Sequence, residues 1–214
     1  MGSESPRVTE SEVRDLAAQA KHVNEAALHF LSDLPPAQSE THYVSLQLIR
    51  AAFDHARGLL YLLETNQRDM AGPALALHRS QIENFLRGVY LGFIACEEQL
   101  IDFLECDSGI RERNKNSKWQ NIDIGSLAKR VEAFIDSMSG ETSSDDAKLS
   151  RMVNNAWSPL CGFVHGGRAI HALYIDGQGQ IGGDVPPEVL VQSIGNCYAI
   201  TNLGFLVVIA QIYK

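Results

Sequence analysis

The sequence predicts an all-α fold, a bundle of about six to seven helices in a single domain over residues 1–214, with at most one small β-hairpin near residues 172–183. Three observations predict it. Long segments carry apolar residues at helical spacing, with helix start and stop signals at their ends. No internal repeat or low-complexity tract breaks the pattern. The chain of 214 residues supports one full core, and no stretch in it reads as a linker between two.

Taken in order, Thr9-Glu-Ser-Glu12 is a capping-box pattern that opens a first helix over 10–32, ended by Leu34-Pro35-Pro36. A second helix, 40–65, has Leu48, Ile49, Ala52, Phe53, Ala56, Leu59, Leu60 and Leu63 in one wide arc, which marks a deeply buried face. Gly72-Pro73 opens a third to residue 94, since proline is tolerated in a first turn. A short fourth helix, 97–105, leads into CDSGIRERNKNSKWQNID, a stretch without periodicity and therefore a long loop. A fifth spans 124–138. A sixth, 145–165, is expected to kink or split at Ser158-Pro159 and to end on Gly166-Gly167. YIDGQGQIGGD carries the turn signals of the small hairpin, and Pro186-Pro187 starts a last helix to residue 213.

Composition narrows the function classes. With 45% hydrophobic and 21% charged residues the chain is of ordinary globular type, and its net charge of −8 repels a phosphate backbone unless a local basic patch overrides it. Arg111, Arg113, Lys115 and Lys118 form the one credible patch for RNA. Cys96, Cys106, Cys161 and Cys197 are scattered without a C-x-x-C pair, which suggests reduced, buried thiols and a cytoplasmic protein. The N-terminal ten residues lack an apolar run, so no secretory signal is expected, and the apolar segment 197–213 reads as a buried core helix and not as a membrane anchor.

Charges inside an apolar stripe are the informative ones. On the third helix Arg79 falls about 40° from Leu75 on the helical wheel, between Leu86 and Tyr90, so it is expected to be partly buried. Glu83, four residues on, is placed to pair with it. On the opposite side Gly72, Ala76, Ser80, Gly88 and Gly92 form a ridge of small residues where another helix approaches closely. On the sixth helix Asn154, Ser158, Cys161 and His165 share a polar stripe, and a histidine in a last turn has its charged form favoured by the helix dipole. Two readings follow. In one, Arg79, Glu83 and His165 form a site in which arginine holds an anionic group and histidine transfers a proton, with Ser158, Arg168 and Tyr90 as ligand-binding neighbours. In the other they form a structural polar network. A metal set of Cys161, His165 and His171 matches no standard ligand spacing, so neither a metal nor another cofactor is expected.

IRAAFDHARGLLYLLETNQRDMAGPALALHRSQIENFLRGVYL and SPLCGFVHGGR resemble a group of bacterial helical proteins of unknown function, in which an R-S-x-x-E helix precedes a later H-G-G segment. More distantly the chain resembles the HEPN (higher eukaryotes and prokaryotes nucleotide-binding) superfamily, which includes metal-independent ribonucleases of toxin–antitoxin and defence systems. The resemblance implies a homodimer that binds or cleaves RNA or a nucleotide. The superfamily's Arg-x4-6-His pattern is met by Arg50 and His55, but five residues on a helix set these about 140° apart. The site is therefore carried onto Arg79, Glu83 and His165. The alternative is a non-catalytic module that meets a partner protein through a helical surface.

Overall fold

The computed structural model describes residues 8–106, 109–139, 148–167, 170, 174 and 185–212. Among these the elements are α1 (Glu10–Ser32), α2 (Glu40–Phe93), α3 (Glu97–Cys106), β1 (Arg111–Arg113), β2 (Trp119–Asn121), α4 (Ile124–Ser139), α5 (Lys148–His165) and α6 (Pro187–Ile212). The fold is an all-α bundle, with one small hairpin among the described residues. α1 starts as its capping box requires: the Glu12 carboxylate accepts from the Thr9 amide at 2.7 Å, and the Thr9 hydroxyl accepts from the Glu12 amide at 3.3 Å.

α2 is a helical hairpin. Drawn straight, its 54 residues would run for about 81 Å. Instead the Ser45 hydroxyl donates to the Gly88 carbonyl at 2.8 Å, across 43 residues of sequence, so a first arm (40–65) and a second arm (67–93) lie antiparallel. The chain reverses at Asn66, whose φ of −155° and ψ of 76° leave helical space. Asn66 then caps the second arm, because its Oδ1 accepts from the Asp69 amide at 3.2 Å while its Nδ2 donates to the Asp69 carboxylate at 2.8 Å. The second arm therefore begins five residues before Gly72-Pro73, and Pro73 sits inside it. The carbonyl left without a proline N–H is that of Asp69, an exposed residue, where solvent can take the place of the lost donor. The small-residue ridge does take a helix, and that helix is the first arm: a Cβ on Gly88 would lie 3.0 Å from Ile49, and one on Gly92 2.5 Å from the Ser45 hydroxyl.

α6 packs against both α1 and α2 and is tied in by buried polar groups. Asn24 of α1 donates to the Phe53 carbonyl at 2.9 Å, and the Thr201 hydroxyl lies 3.2 Å from the Asn24 Oδ1. Gln81 donates to the Cys197 carbonyl at 3.1 Å, and Gln211 to the Ser45 hydroxyl at 2.7 Å. By length and apolarity alone α6 is long enough to cross a membrane. Within the bundle its Cys197, Ile200, Val207 and Val208 are buried in the core.

Of the remaining elements, α4 and α5 pack on each other and on α2, and the hairpin joins α3 to α4. The long loop expected at 106–123 contains the hairpin, with Arg111 opposite Asn121 and Arg113 opposite Trp119, and Ser117 in the turn at φ 58°. Strands of three residues are too short to show a period in sequence. The hairpin expected near residues 172–183 lies outside the described residues. Glu132 of α4 receives the Leu149 amide at 2.7 Å and the Ser150 hydroxyl at 2.6 Å, fixing the start of α5. α5 runs through Pro159 without a break, because the carbonyl deprived of its partner belongs to exposed Asn155. All four thiols are free, but Cys96 and Cys106 are exposed and Cys161 is half-buried, so the expectation of buried thiols holds fully for Cys197 alone.

Candidate functional site

Arg79 and Glu83 project from the second arm of α2 toward α5, with side chains 21% and 22% exposed. The Arg79 guanidinium lies over the Trp157 ring, 4.9 Å from its centre. Its Nη2 is 3.8 Å from the Glu83 carboxylate, an ion-pair distance too long for a hydrogen bond, and its Nε is buried without a partner. Glu83 makes its short contact one turn further on, accepting from Arg87 Nη2 at 2.5 Å. One carboxylate thus serves two guanidiniums, and the aromatic face of Trp157 lies against that of Arg79.

The polar stripe of α5 does not meet them. The buried side of α5 is Leu149, Ser150, Val153 and Leu160, with Trp157 half-buried beside them, whereas Asn154, Ser158 and His165 are exposed. Trp157 takes the place facing Arg79 because it continues the apolar arc through Val153 and Leu160. His165 lies two helical turns beyond Trp157, about 12 Å along the axis. It is the last residue of the helix. Gly166 follows at φ 71°, and the Gly167 amide reaches back to the Gly162 carbonyl at 3.0 Å, the expected glycine termination.

The other candidates divide. Tyr90 is buried at the end of the second arm, where its hydroxyl accepts from Gln99 at 3.1 Å and from Arg130 at 3.2 Å, away from Trp157. Arg168 and His171 lie outside the described residues. Arg50 pairs with Asp54 and donates to the Ser32 hydroxyl, while His55 Nδ1 is 2.6 Å from the Ala51 carbonyl of its own helix. As their helical angle requires, the two do not converge.

A family model matches residues 49–211, most of the chain. Its description is "Family of unknown function (DUF6988)". The chain belongs to this family. The match takes in Arg79, Glu83, Trp157 and His165 and starts after α1, which the remainder of the bundle nonetheless binds through Asn24. No curated protein and no solved structure matches the chain.

Within this DUF6988 chain the basic loop is neutralised at its arginines. Arg111 is held by Asp102 through two bonds of 2.8 and 2.5 Å, Arg113 by Glu98 through two of the same lengths, and Arg130 by Glu112 at 2.9 Å. Arg113 also covers Trp119 at 4.6 Å. Lys115 and Lys118 are exposed at the hairpin turn. Among the described residues no three His, Cys, Asp or Glu side chains converge as a metal set.

Sequence reasoning missed a fully buried imidazole, that of His78. Its Nδ1 lies 2.9 Å from Gln81 Oε1. Because the Gln81 amide nitrogen already donates to the Cys197 carbonyl, Oε1 must accept, so His78 Nδ1 carries the proton and Nε2 is left a bare acceptor. Burial pushes this imidazole down to about 4, against the Gln81 bond, and pushes the neighbouring Cys197 thiol up to about 12. At neutral pH the imidazole is therefore held neutral and the thiol protonated. The signal available in sequence was a histidine directly before Arg79, between Leu75 and Ile82 on the buried face.

Proposed function

We propose that this DUF6988 chain is a non-catalytic protein-interaction module, cytoplasmic, in which the Arg79 cluster joins helices and an outer helical face meets a partner. The observation that carries the reading is the seat of Arg79. Its guanidinium is spent on Trp157 and a shared Glu83, while His165, the residue that would have to move a proton, ends α5 in solvent two turns away. The paired arginines of the hairpin and the net charge of −8 support it, since both weaken attraction for RNA.

A second reading is favoured by one atom. Arg79 Nε is buried and unpartnered, a donor that an anionic ligand would satisfy. Together with the HEPN resemblance it supports an RNA- or nucleotide-binding protein, of the toxin–antitoxin type, with Arg79 on phosphate and His165 as acid or base. The test is incubation of purified protein and the His165→Ala variant with total RNA. The module reading expects no cleavage by either; cleavage by the native chain that His165→Ala abolishes at matched folded content would replace it with the ribonuclease.

A further inference from the structure

The groove between α1 and α6 is the part of the surface that neither the Arg79 cluster nor the core explains. Two hollows of about 380 and 330 Å³ run end to end along it and share Val23 as a common wall. No charged side chain lines either one. α6 has one charged residue in 26, Glu188 in its first turn, and its outer stripe of Gly195, Ala199, Asn202 and Leu206 has none. Two side chains stand proud of this face, Tyr198 at 45% and Leu206 at 58% exposure.

We propose that this face binds a second copy of the chain, with two α6 helices antiparallel about a two-fold axis. The proposal deepens the interaction-module reading by naming the partner. Self-complementarity carries it. The point midway between Gly195 and Leu206 is also midway between Ala199 and Asn202, so one axis there sets Leu206 of each copy over Gly195 of the other. Gly195 has nothing within 4 Å of where a Cβ would be, which leaves the space a leucine needs. The same axis brings Tyr198 level with the second copy's hollow at Asn202 and Phe205. Raised residues and hollows are thus matched at both ends by a single operator, as an isologous contact demands.

Size and charge agree with a second copy. A face about 39 Å long, the length of a 26-residue helix, and two helix diameters or about 20 Å wide offers on the order of 800 Å². That is what each side of a stable dimer contributes. Two chains of net charge −8 repel each other, and the linings of the two hollows and the outer stripe of α6 add no charge to that repulsion at the contact.

The test is light scattering of the full chain after size exclusion over a range of concentration. The native protein is expected at twice 23.5 kDa. Leu206→Arg and Gly195→Arg, both on exposed positions that leave the core intact, are expected to weaken association at least tenfold with unchanged circular dichroism. Tyr43→Arg, on the exposed side of the first arm, is expected to leave the dimer intact. A monomer at every concentration, a dimer that survives both α6 variants, or binding of the monomer to phosphatidylcholine vesicles through α6 would each overturn the proposal. A monomer that leaves RNA uncut would remove the second copy and keep the module reading; RNA cleavage lost in His165→Ala would remove that reading whatever the mass.

Discussion

Ser45 and Gly88 are bonded at 2.8 Å although 43 residues separate them, and the contact exists because glycine at 88 and 92 lets two arms of one helix come together. The tightest point is Gly92, where an added Cβ would sit 2.5 Å from the Ser45 hydroxyl and 2.8 Å from its Cβ. The hydroxyl could rotate away only by giving up its bonds to Gly88 and Gln211, and the Cβ is fixed to the backbone and cannot move aside. Gly92→Ala is therefore expected to lower unfolding stability by about 1–3 kcal/mol despite its better helix propensity, measured by urea titration. A stabilised Gly92→Ala protein would mean the arms are not packed as described.

Asn66 is the hinge of that hairpin and the cap of its second arm. Its side chain satisfies the Asp69 amide, which is otherwise an unpaired donor at a helix start. Asn66→Ala is expected to cost about 1 kcal/mol in the same titration, and Asn66→Ser to recover most of it, because Ser is an equally good cap and, unlike Asp, sets no second carboxylate against Asp69.

The helices were legible in sequence because each buries one stripe, and periodicity reports a stripe directly. The hairpin of α2 was legible as two helices but its hinge was displaced to Gly72-Pro73, since proline and glycine are loud signals and a single asparagine cap is a quiet one. The site was legible only in part. Arg79 and Glu83 were found because charge inside an apolar arc stands out, but which residue of α5 faces them depends on how two helices rotate against each other. The polar stripe drew attention to His165, while the apolar arc through Val153 and Leu160 turned Trp157 inward instead. Single-helix wheels carry no information about that rotation.

His78 supplies a pH test. Its imidazole titrates at about 4 in the folded chain, against about 6.5 unfolded, because protonation would place a charge in the core and a hydrogen on an Nε2 with no acceptor. Between those values the unfolded state binds the extra proton. Stability from this group is therefore full above pH 6.5, falls as pH drops toward 4, and is flat below, a loss of ~3 kcal/mol. His78→Leu is expected to be less stable at pH 7, where Gln81 loses its donor, yet to show a pH dependence between 4 and 6.5 that is shallower by about that amount. Parallel curves for the two proteins would overturn the assignment.

Asp102 is 8% exposed and holds Arg111 through both of its oxygens, so it anchors the β-hairpin to α3. Asp102→Asn keeps the shape but removes the charge and one acceptor. It is expected to cost about 2 kcal/mol, reduced from a fully buried pair because Arg111 is 24% exposed. Hydrogen exchange at residues 111–121 should accelerate in the variant while the α2 arms stay protected. Unchanged exchange there would show that Glu98 and Gln99 suffice to hold the hairpin.

Arg79, Trp157 and His165 separate a structural cluster from a site by stability alone. Trp157 gives Arg79 a face to lie on and continues the buried arc of α5, so Trp157→Ala is expected to cost about 2 kcal/mol from lost burial and the lost cation–π contact. Trp157→Phe should recover part of that, because a smaller ring keeps the face. His165 is exposed at a helix end, and His165→Ala is expected to change stability by less than about 0.5 kcal/mol. If His165→Ala instead proved as costly as Trp157→Ala, the histidine would be bound into the Arg79 cluster, and the separation of the two groups on which the interaction-module reading stands would be lost.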